Sequence, residues 1–227
     1  MPQRSMRCAI FRCLEGAKYM DGILLIDKPE GWTSHDVVAK LRVRTGMRRI
    51  GHAGTLDPFA TGLLIIGIGS ATKTLAHHQA QEKEYVATIR FGAKSTTDDR
   101  TGTITIVNDT PPVFGDALRA ALQKFLGTTE QIPPMYSAKK IGGKKLYTLA
   151  RQGKIVERAP SLVTISALDI LSDNAPETVT VRIVCSSGTY IRALARDLGT
   201  MLGTSAYLDA LRRTRIGEYR VEDATHL

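Results

Sequence analysis

The run Gly51-His52-Ala53-Gly54-Thr55-Leu56-Asp57-Pro58-Phe59-Ala60-Thr61-Gly62 is where residue types and spacing could do chemistry. Its three glycines and one proline rule out a plain helix or a central strand, so it reads as a shaped loop. Its one carboxylate, Asp57, stands before Pro58, whose ring pushes the preceding residue toward extended backbone. The apolar stretch 63–69 that follows reads as a buried strand. A carboxylate on a stiff loop anchored to the core suits a group that must be aimed. An aspartate before proline in a glycine-rich loop is more often a turn residue, and the loop alone does not decide between the two. His52, five residues upstream, adds a second group that could work beside it.

Hydrolysis of a glycosidic bond generally takes two carboxylates, and this loop offers one. The chain has no G-x-S-x-G elbow, no P-loop and no Cys–His pair. A lone carboxylate still serves a reaction in which it attacks, or assists departure, and the departing group is recaptured. Isomerising a nucleoside is such a reaction: the base leaves C1′ through nitrogen, turns, and reattaches through carbon. Nothing is lost, so no external acid, metal or cofactor is expected. Cys8, Cys13 and Cys185, with histidines 35, 52, 77, 78 and 226, form no ligand motif. No disulfide framework and no metal site are expected, which fits a reducing cytoplasm.

The elements that must position these groups follow in chain order. The chain has 227 residues, 43% hydrophobic and 23% charged, an ordinary globular composition with no apolar run of membrane-spanning length. Its net charge of +9 points to a polyanionic partner, most simply nucleic acid. Residues 1–19 show no period and read as a non-essential extension ahead of Met20. Residues 22–27 read as a strand. A helix is expected from Thr33-Ser34, with Ser34 as N-cap, Val37, Val38 and Leu41 as its apolar stripe and Gly46 as terminator. Arg48 and Arg49 carry positive charge up to the central loop, either as phosphate contacts or as a solvated face.

Farther on, 71–81 reads as a helix, 84–92 and 103–107 as strands, and 116–125 as an amphipathic helix. The segment 131–147 opens with two prolines and carries Tyr136, Lys139, Lys140, Lys144, Lys145 and Tyr147. Basic residues interleaved with aromatics in an extended segment suit an RNA backbone and its bases, the alternative being an ordinary surface loop. Strands are expected at 163–171 and 178–185, and a helix at 189–199 with Tyr190 and Arg192 at its start. The element 208–213 leads to a terminal strand at 216–221. No repeat or linker splits the chain.

Several spaced motifs resemble the TruB family of tRNA pseudouridine synthases. Gly51-His52-x-Gly54-Thr55-Leu56-Asp57-Pro58-x-Ala60-Thr61-Gly62-Leu63-Leu64 resembles the catalytic motif, and Ile26-Asp27-Lys28-Pro29-x-Gly31-x-Thr33-Ser34 the N-terminal one. Lys83-Glu84-Tyr85 resembles the tyrosine motif, Gly188-Thr189-Tyr190-Ile191-Arg192 the arginine motif, and Leu211-Arg212-Arg213-Thr214-x-x-Gly217 the closing motif. Ile132-Pro133-Pro134-x-Tyr136-Ser137-Ala138 with Tyr147-x-x-Ala150-Arg151-x-Gly153 resembles the insertion that grips tRNA.

The resemblance implies an α+β pseudouridine synthase fold: a mixed, largely antiparallel sheet flanked by helices around a central catalytic cleft. It implies one catalytic domain over 20–227, with 131–153 as the tRNA-gripping insertion. Asp57 would be the nucleophile, Tyr85 would stack on the target uracil and handle a proton, and Arg192 would pair with Asp57. His52 would sit against the RNA and help hold the nucleotide out of its stack. Tyr190, Lys28 and Leu211 would line or support the pocket. Arg48, Arg49, Tyr136, Lys139, Lys140, Lys144 and Lys145 would contact RNA. The substrate would be the T-loop uridine at tRNA position 55, bound as a T stem-loop by a monomer that needs no cofactor, protein partner or membrane. Many members carry a C-terminal PUA-type domain after the closing motif; ten residues follow it here, so the chain is expected to be either a minimal family member or a truncated one. The alternatives are a non-catalytic RNA-binding or RNA-folding module on the same scaffold, and a synthase acting on another RNA.

Overall fold

The computed structural model describes residues 21–107, 115–137, 140–141, 144–146, 156–175 and 177–227. The expected extension 1–19, together with Lys139, Tyr147 and residues 150–153 of the insertion, lies outside the described residues. By its contacts the chain divides into two compact units, residues up to Tyr85 with Arg212–Leu227, and Val86–Leu211.

Unit one is built around an apolar strand. It contains β1 (Gly22–Lys28), α1 (Ser34–Thr45), β2 (Ile50–Ala53), β3 (Thr61–Ile68), a 3-10 turn over Gly69–Thr74, and α2 (Leu75–Ala80). Strand β1 pairs antiparallel with β3 from Gly22↔Ile68 to Lys28↔Gly62. Both faces of β3 are covered, which explains an unbroken apolar run in place of alternation. Leu64, Ile66 and Ile68 meet Leu24, Ile26 and the Val37, Val38, Leu41 stripe of α1. Leu63 and Ile65 point the other way, into a cluster with Ala53, Ile216 and Val221.

Helix α1 starts with a capping box. The Thr33 hydroxyl accepts from the Asp36 amide at 3.0 Å, and the Asp36 carboxylate accepts from the Thr33 amide at 2.8 Å. The N-cap is therefore Thr33 and not Ser34, while Gly46 closes the helix with φ 68° as expected. The expected helix over 71–81 is a 3-10 turn up to Thr74 followed by the short α2. The Thr72 and Thr74 hydroxyls each donate to the carbonyl three residues back, at 2.7 and 2.9 Å, and such side-chain bonds compete with a regular helix.

Unit two holds most of β4 (Lys83–Phe91), β5 (Ala93–Ser95), β6 (Ile104–Ile106), α3 (Asp116–Gln123), β7 (Gly127–Gln131), β8 (Lys140–Ile141) and β9 (Lys144–Lys145). It continues with β10 (Ser161–Ala175), β11 (Thr178–Cys185), α4 (Ile191–Met201) and the first part of β12 (Ala206–Ile216). The strand order is β4-β11-β10-β7, with β10 antiparallel to both neighbours. Strand β4 alternates buried residues with half-buried or exposed ones, as its pattern predicts.

The last elements belong to unit one: the end of β12, β13 (Tyr219–Arg220), a 3-10 turn over Val221–Asp223, and β14 (Thr225–His226). The expected terminal strand over 216–221 is instead the end of β12, a tight turn at Gly217 (φ 54°) and β13 pairing back, with Arg215↔Arg220 and Ile216↔Tyr219. Parallel pairing occurs between β1 and β14 and between β12 and β3. Pairing is otherwise largely antiparallel, and four α-helices are described, which matches the expected mixed α+β class.

Candidate functional site

The central loop proves shorter than its glycines suggest. Gly51, His52 and Ala53 lie in β2, paired with Gly67, Ile66 and Ile65 of β3, so only 54–60 is irregular. Tertiary pairing has overridden the local glycine signal. Inside the loop Leu56 and Phe59 are buried and Pro58 is exposed, leaving Asp57 half-exposed between anchors.

Three groups hold the middle of the loop. The hydroxyl of Ser34 accepts from the Leu56 amide at 2.9 Å and donates to its carbonyl at 3.4 Å. The Gly31 amide donates to the Pro58 carbonyl at 2.8 Å. The ammonium of Lys28, wholly buried, donates to the carbonyls of Trp32 (2.6 Å), Pro29 (2.9 Å) and Pro58 (3.3 Å).

Burial pushes the Lys28 ammonium down to about 8, partly offset by the negative charge of Asp57 and reinforced by the positive charge of Arg213. The folded protein thus releases this proton near pH 8, whereas the unfolded chain keeps it to 10.5. Between those values the unfolded state binds more protons, so Lys28 makes stability rise with pH across that window and disfavours folding below it. Lys28→Met is expected to lose this rise. Urea unfolding on either side of pH 8 should show the wild type gaining on the variant as pH increases; a constant difference would mean that the ammonium is not desolvated.

His52 is half-buried on β2, and burial, then His35 and Arg213, hold its ring down at about 4. It is therefore neutral at physiological pH. Its Nδ1 is buried with no hydrogen-bond partner, and the exposed His35 ring meets it edge-on at 5.3 Å between centroids. Tyr85 is buried at 9% exposure on β4. Arg48 and Arg49 are both exposed, and Arg49 Nε donates to Thr72 Oγ1 at 2.9 Å.

In unit two the first turn of α4 supplies the second set of groups. Arg192 is 5% exposed; its Nη1 sits 3.4 Å from Asp99 Oδ2 and donates to the Thr97 carbonyl at 3.1 Å, and its Nη2 donates to the Tyr136 carbonyl at 2.9 Å. Asp99 is itself buried and accepts from the Thr101 amide at 2.9 Å and the Thr97 hydroxyl at 2.8 Å. One turn along, Arg196 bonds Asp98 at 3.1 Å and the Ile132 carbonyl at 3.1 Å, while Arg158 donates to the Pro133 carbonyl at 2.9 Å. Burial raises the Asp98 carboxyl above its ordinary range, with Arg196 and Arg192 opposing.

Three arginines thus secure 132–136, the base of the expected insertion. Tyr190 caps α4, and Gln131 grips its backbone from both sides, accepting from its amide at 2.8 Å and donating to its carbonyl at 3.0 Å. Leu211 is buried on β12. Lys140, Lys144 and Lys145 lie on the two-residue strands β8 and β9, paired Lys140↔Lys145 and Ile141↔Lys144.

The residues that sequence reading missed are Asp99, Gln131, Ser34 in its loop-holding role, and Arg213. Asp99 sits in the polar run 97–102, which reads as a turn, and only its burial sets it apart. Among the described residues no group of His, Cys, Asp or Glu could hold a metal ion, and no helix is long and apolar enough to cross a membrane.

Residues 42–191 match the model of the TruB family pseudouridylate synthase N-terminal domain. The chain is 46% identical over 214 residues to tRNA pseudouridine synthase B of Thermobifida fusca, covering 91% of this chain and 73% of that protein. It is 48% identical to the protein of the same description from Leifsonia xyli, covering 91% and 70%. Among solved structures it resembles a chain of a Cbf5-Nop10-Gar1 complex, with TM-score 0.71 and 28% identity over 91% of this chain and 52% of that one. It also resembles a chain of an H/ACA RNP bound to a substrate RNA containing 2′-deoxyuridine, with TM-score 0.68 and 25% identity over 90% and 50%. The chain spans about half the length of those solved chains.

Proposed function

The chain belongs to the TruB family of pseudouridylate synthases, and from that premise we propose that it isomerises uridine to pseudouridine in tRNA, at the T-loop uridine, with Asp57 as nucleophile. The observation that carries the assignment to Asp57 is a single half-exposed carboxylate on a loop whose backbone is held by Ser34, Gly31 and Lys28. The relatives at 46% and 48% identity are described as acting on tRNA, which supports that substrate.

In this mechanism Asp57 attacks the flipped nucleotide, the C1′–N1 bond breaks, and the uracil turns. A C1′–C5 bond then forms as the bond from Asp57 breaks, the C5 proton leaves and N1 takes up a proton. Arg192 provides the countercharge of Asp57, Tyr85 stacks on the uracil and handles the proton, and Tyr190, Lys28 and Leu211 shape the pocket. His52, as a neutral ring, takes the place of a stacked neighbour when the base leaves the helix, offsetting an unstacking cost of a few kcal/mol. The protein acts as a cytoplasmic monomer over 20–227, with no cofactor, metal or protein partner. Mapping pseudouridine in tRNA after incubation with the pure protein tests this; unmodified T-loop uridine would refute it.

Arg48, Arg49, Tyr136, Lys139, Lys140, Lys144 and Lys145 contact the RNA in this proposal. Binding is therefore expected to weaken steeply with salt through counterion release. Replacing lysines 139, 140, 144 and 145 with alanine should flatten the slope of log affinity against log salt by about one unit for each phosphate that is no longer neutralised. An unchanged slope would mean that the segment does not touch the backbone.

A further inference from the structure

We propose that Arg213 is a positioning residue for the reaction: one guanidinium ties the entry of the Asp57 loop to its exit and so sets where the carboxylate points. This rests on Asp57 being the nucleophile. Arg213 lies on β12 and is 1% exposed, one of the largest fully buried side chains among the described residues. A buried arginine ordinarily faces a carboxylate. The described hydrogen bonds of this one go to two backbone carbonyls instead. Its Nε donates to Leu63 at 2.8 Å and its Nη2 to Gly54 at 3.1 Å. Gly54 follows β2 and Leu63 lies in β3, so the two carbonyls bracket Asp57 in the chain.

The backbone is built to bring this donor close. Strand β12 pairs parallel with β3 at Arg212↔Thr61 and Arg213↔Gly62. A Cβ on Gly62 would stand 2.3 Å from the Arg213 carbonyl oxygen and 2.7 Å from its nitrogen, and φ at Gly62 is 104°. Only glycine permits both that approach and that backbone. Ser34 and Lys28 hold the loop at Leu56 and Pro58, and Arg213 holds its two ends, which neither of them touches. The planar fork of a guanidinium holds its Nε and Nη2 donors apart in one rigid plane and so fixes both carbonyls relative to it, whereas the donors of an ammonium share a single nitrogen on a flexible stem and impose no such plane.

Arg213→Lys keeps the charge and much of the volume but loses the rigid fork that fixes the two carbonyls relative to one plane. In single-turnover tritium release from a T-loop transcript at saturating enzyme, the rate constant is expected to fall roughly 100-fold, the scale of an ångström-sized misplacement of a reacting group, with tRNA affinity within about twofold of wild type. A wild-type rate constant overturns the proposal, and so does a loss confined to the active fraction or one that follows weakened tRNA binding. Should Arg213→Lys fail to fold, Arg213→Gln carries the same comparison. Asp57→Asn run alongside separates the two levels. Turnover by that variant removes the nucleophile assignment, whereas an inactive Asp57→Asn beside a fully active Arg213→Lys removes only the clamp.

Discussion

Asp57→Asn is expected to reduce turnover to background while tRNA affinity stays close to wild type. Asparagine keeps the size and hydrogen-bonding shape of the side chain, so the loop retains its bonds to Ser34, Gly31 and Lys28, all of which involve backbone groups of Leu56 and Pro58. What it removes is the negative charge and the nucleophilic oxygen, an interaction made in the transition state, so the loss appears in kcat and not in binding. A fall of roughly 10⁴-fold or more is the scale for removing a nucleophile. The measurement is tritium release from C5 of labelled uridine, beside a binding isotherm on the same preparation. If Asp57 served only the turn, the variant would lose stability and keep its turnover in the folded fraction. Substantial turnover would falsify the catalytic assignment.

Arg192→Met is expected to lose both turnover and stability. Arg192 and Asp99 are side chains with 6% and 4% exposure, so removing the cation strands a buried carboxylate. Breaking a buried pair by deleting one partner costs about 3–5 kcal/mol, which for a protein of this size lowers Tm by roughly 10 °C. The carbonyls of Thr97 and Tyr136 lose their donor as well. Asp99→Asn in the same chain should restore part of the stability, because the stranded charge is gone, without restoring turnover. Thermal unfolding of the four proteins in this cycle gives the coupling directly. Strictly additive losses would show that the pair contributes nothing as a pair.

Much of unit one was legible in the sequence because its signals are local. The unbroken apolar run of β3, the stripe Val37, Val38, Leu41 and the stop at Gly46 each report a physical requirement of the element that carries them. The loop around Asp57 announced itself through glycine and proline. Ser34 was misread for a reason the structure supplies: Thr33 and Ser34 are both good caps, and the choice depends on a Leu56 amide that needs the second hydroxyl. Gly51-His52-Ala53 became a strand because β3 offered a ladder, which no local preference reveals. Asp99, Gln131 and Arg213 act on partners far away in the chain, and a polar residue in a turn or a polar strand carries no mark of its distant partner.

The pairing of Arg213 with the segment around Gly62 has a consequence for the order in which the protein is made. The strand that completes the loop emerges from the ribosome some 150 residues after the loop itself. Chains are synthesised from the N-terminus, and contacts this distant in sequence close late. A nascent chain that has released β1 to β4 therefore carries Asp57 without the support of Arg213. If Asp57 is the nucleophile, the carboxylate reaches its working position only after Arg213 has been made, so a chain interrupted before that strand holds the nucleophile but not its aim.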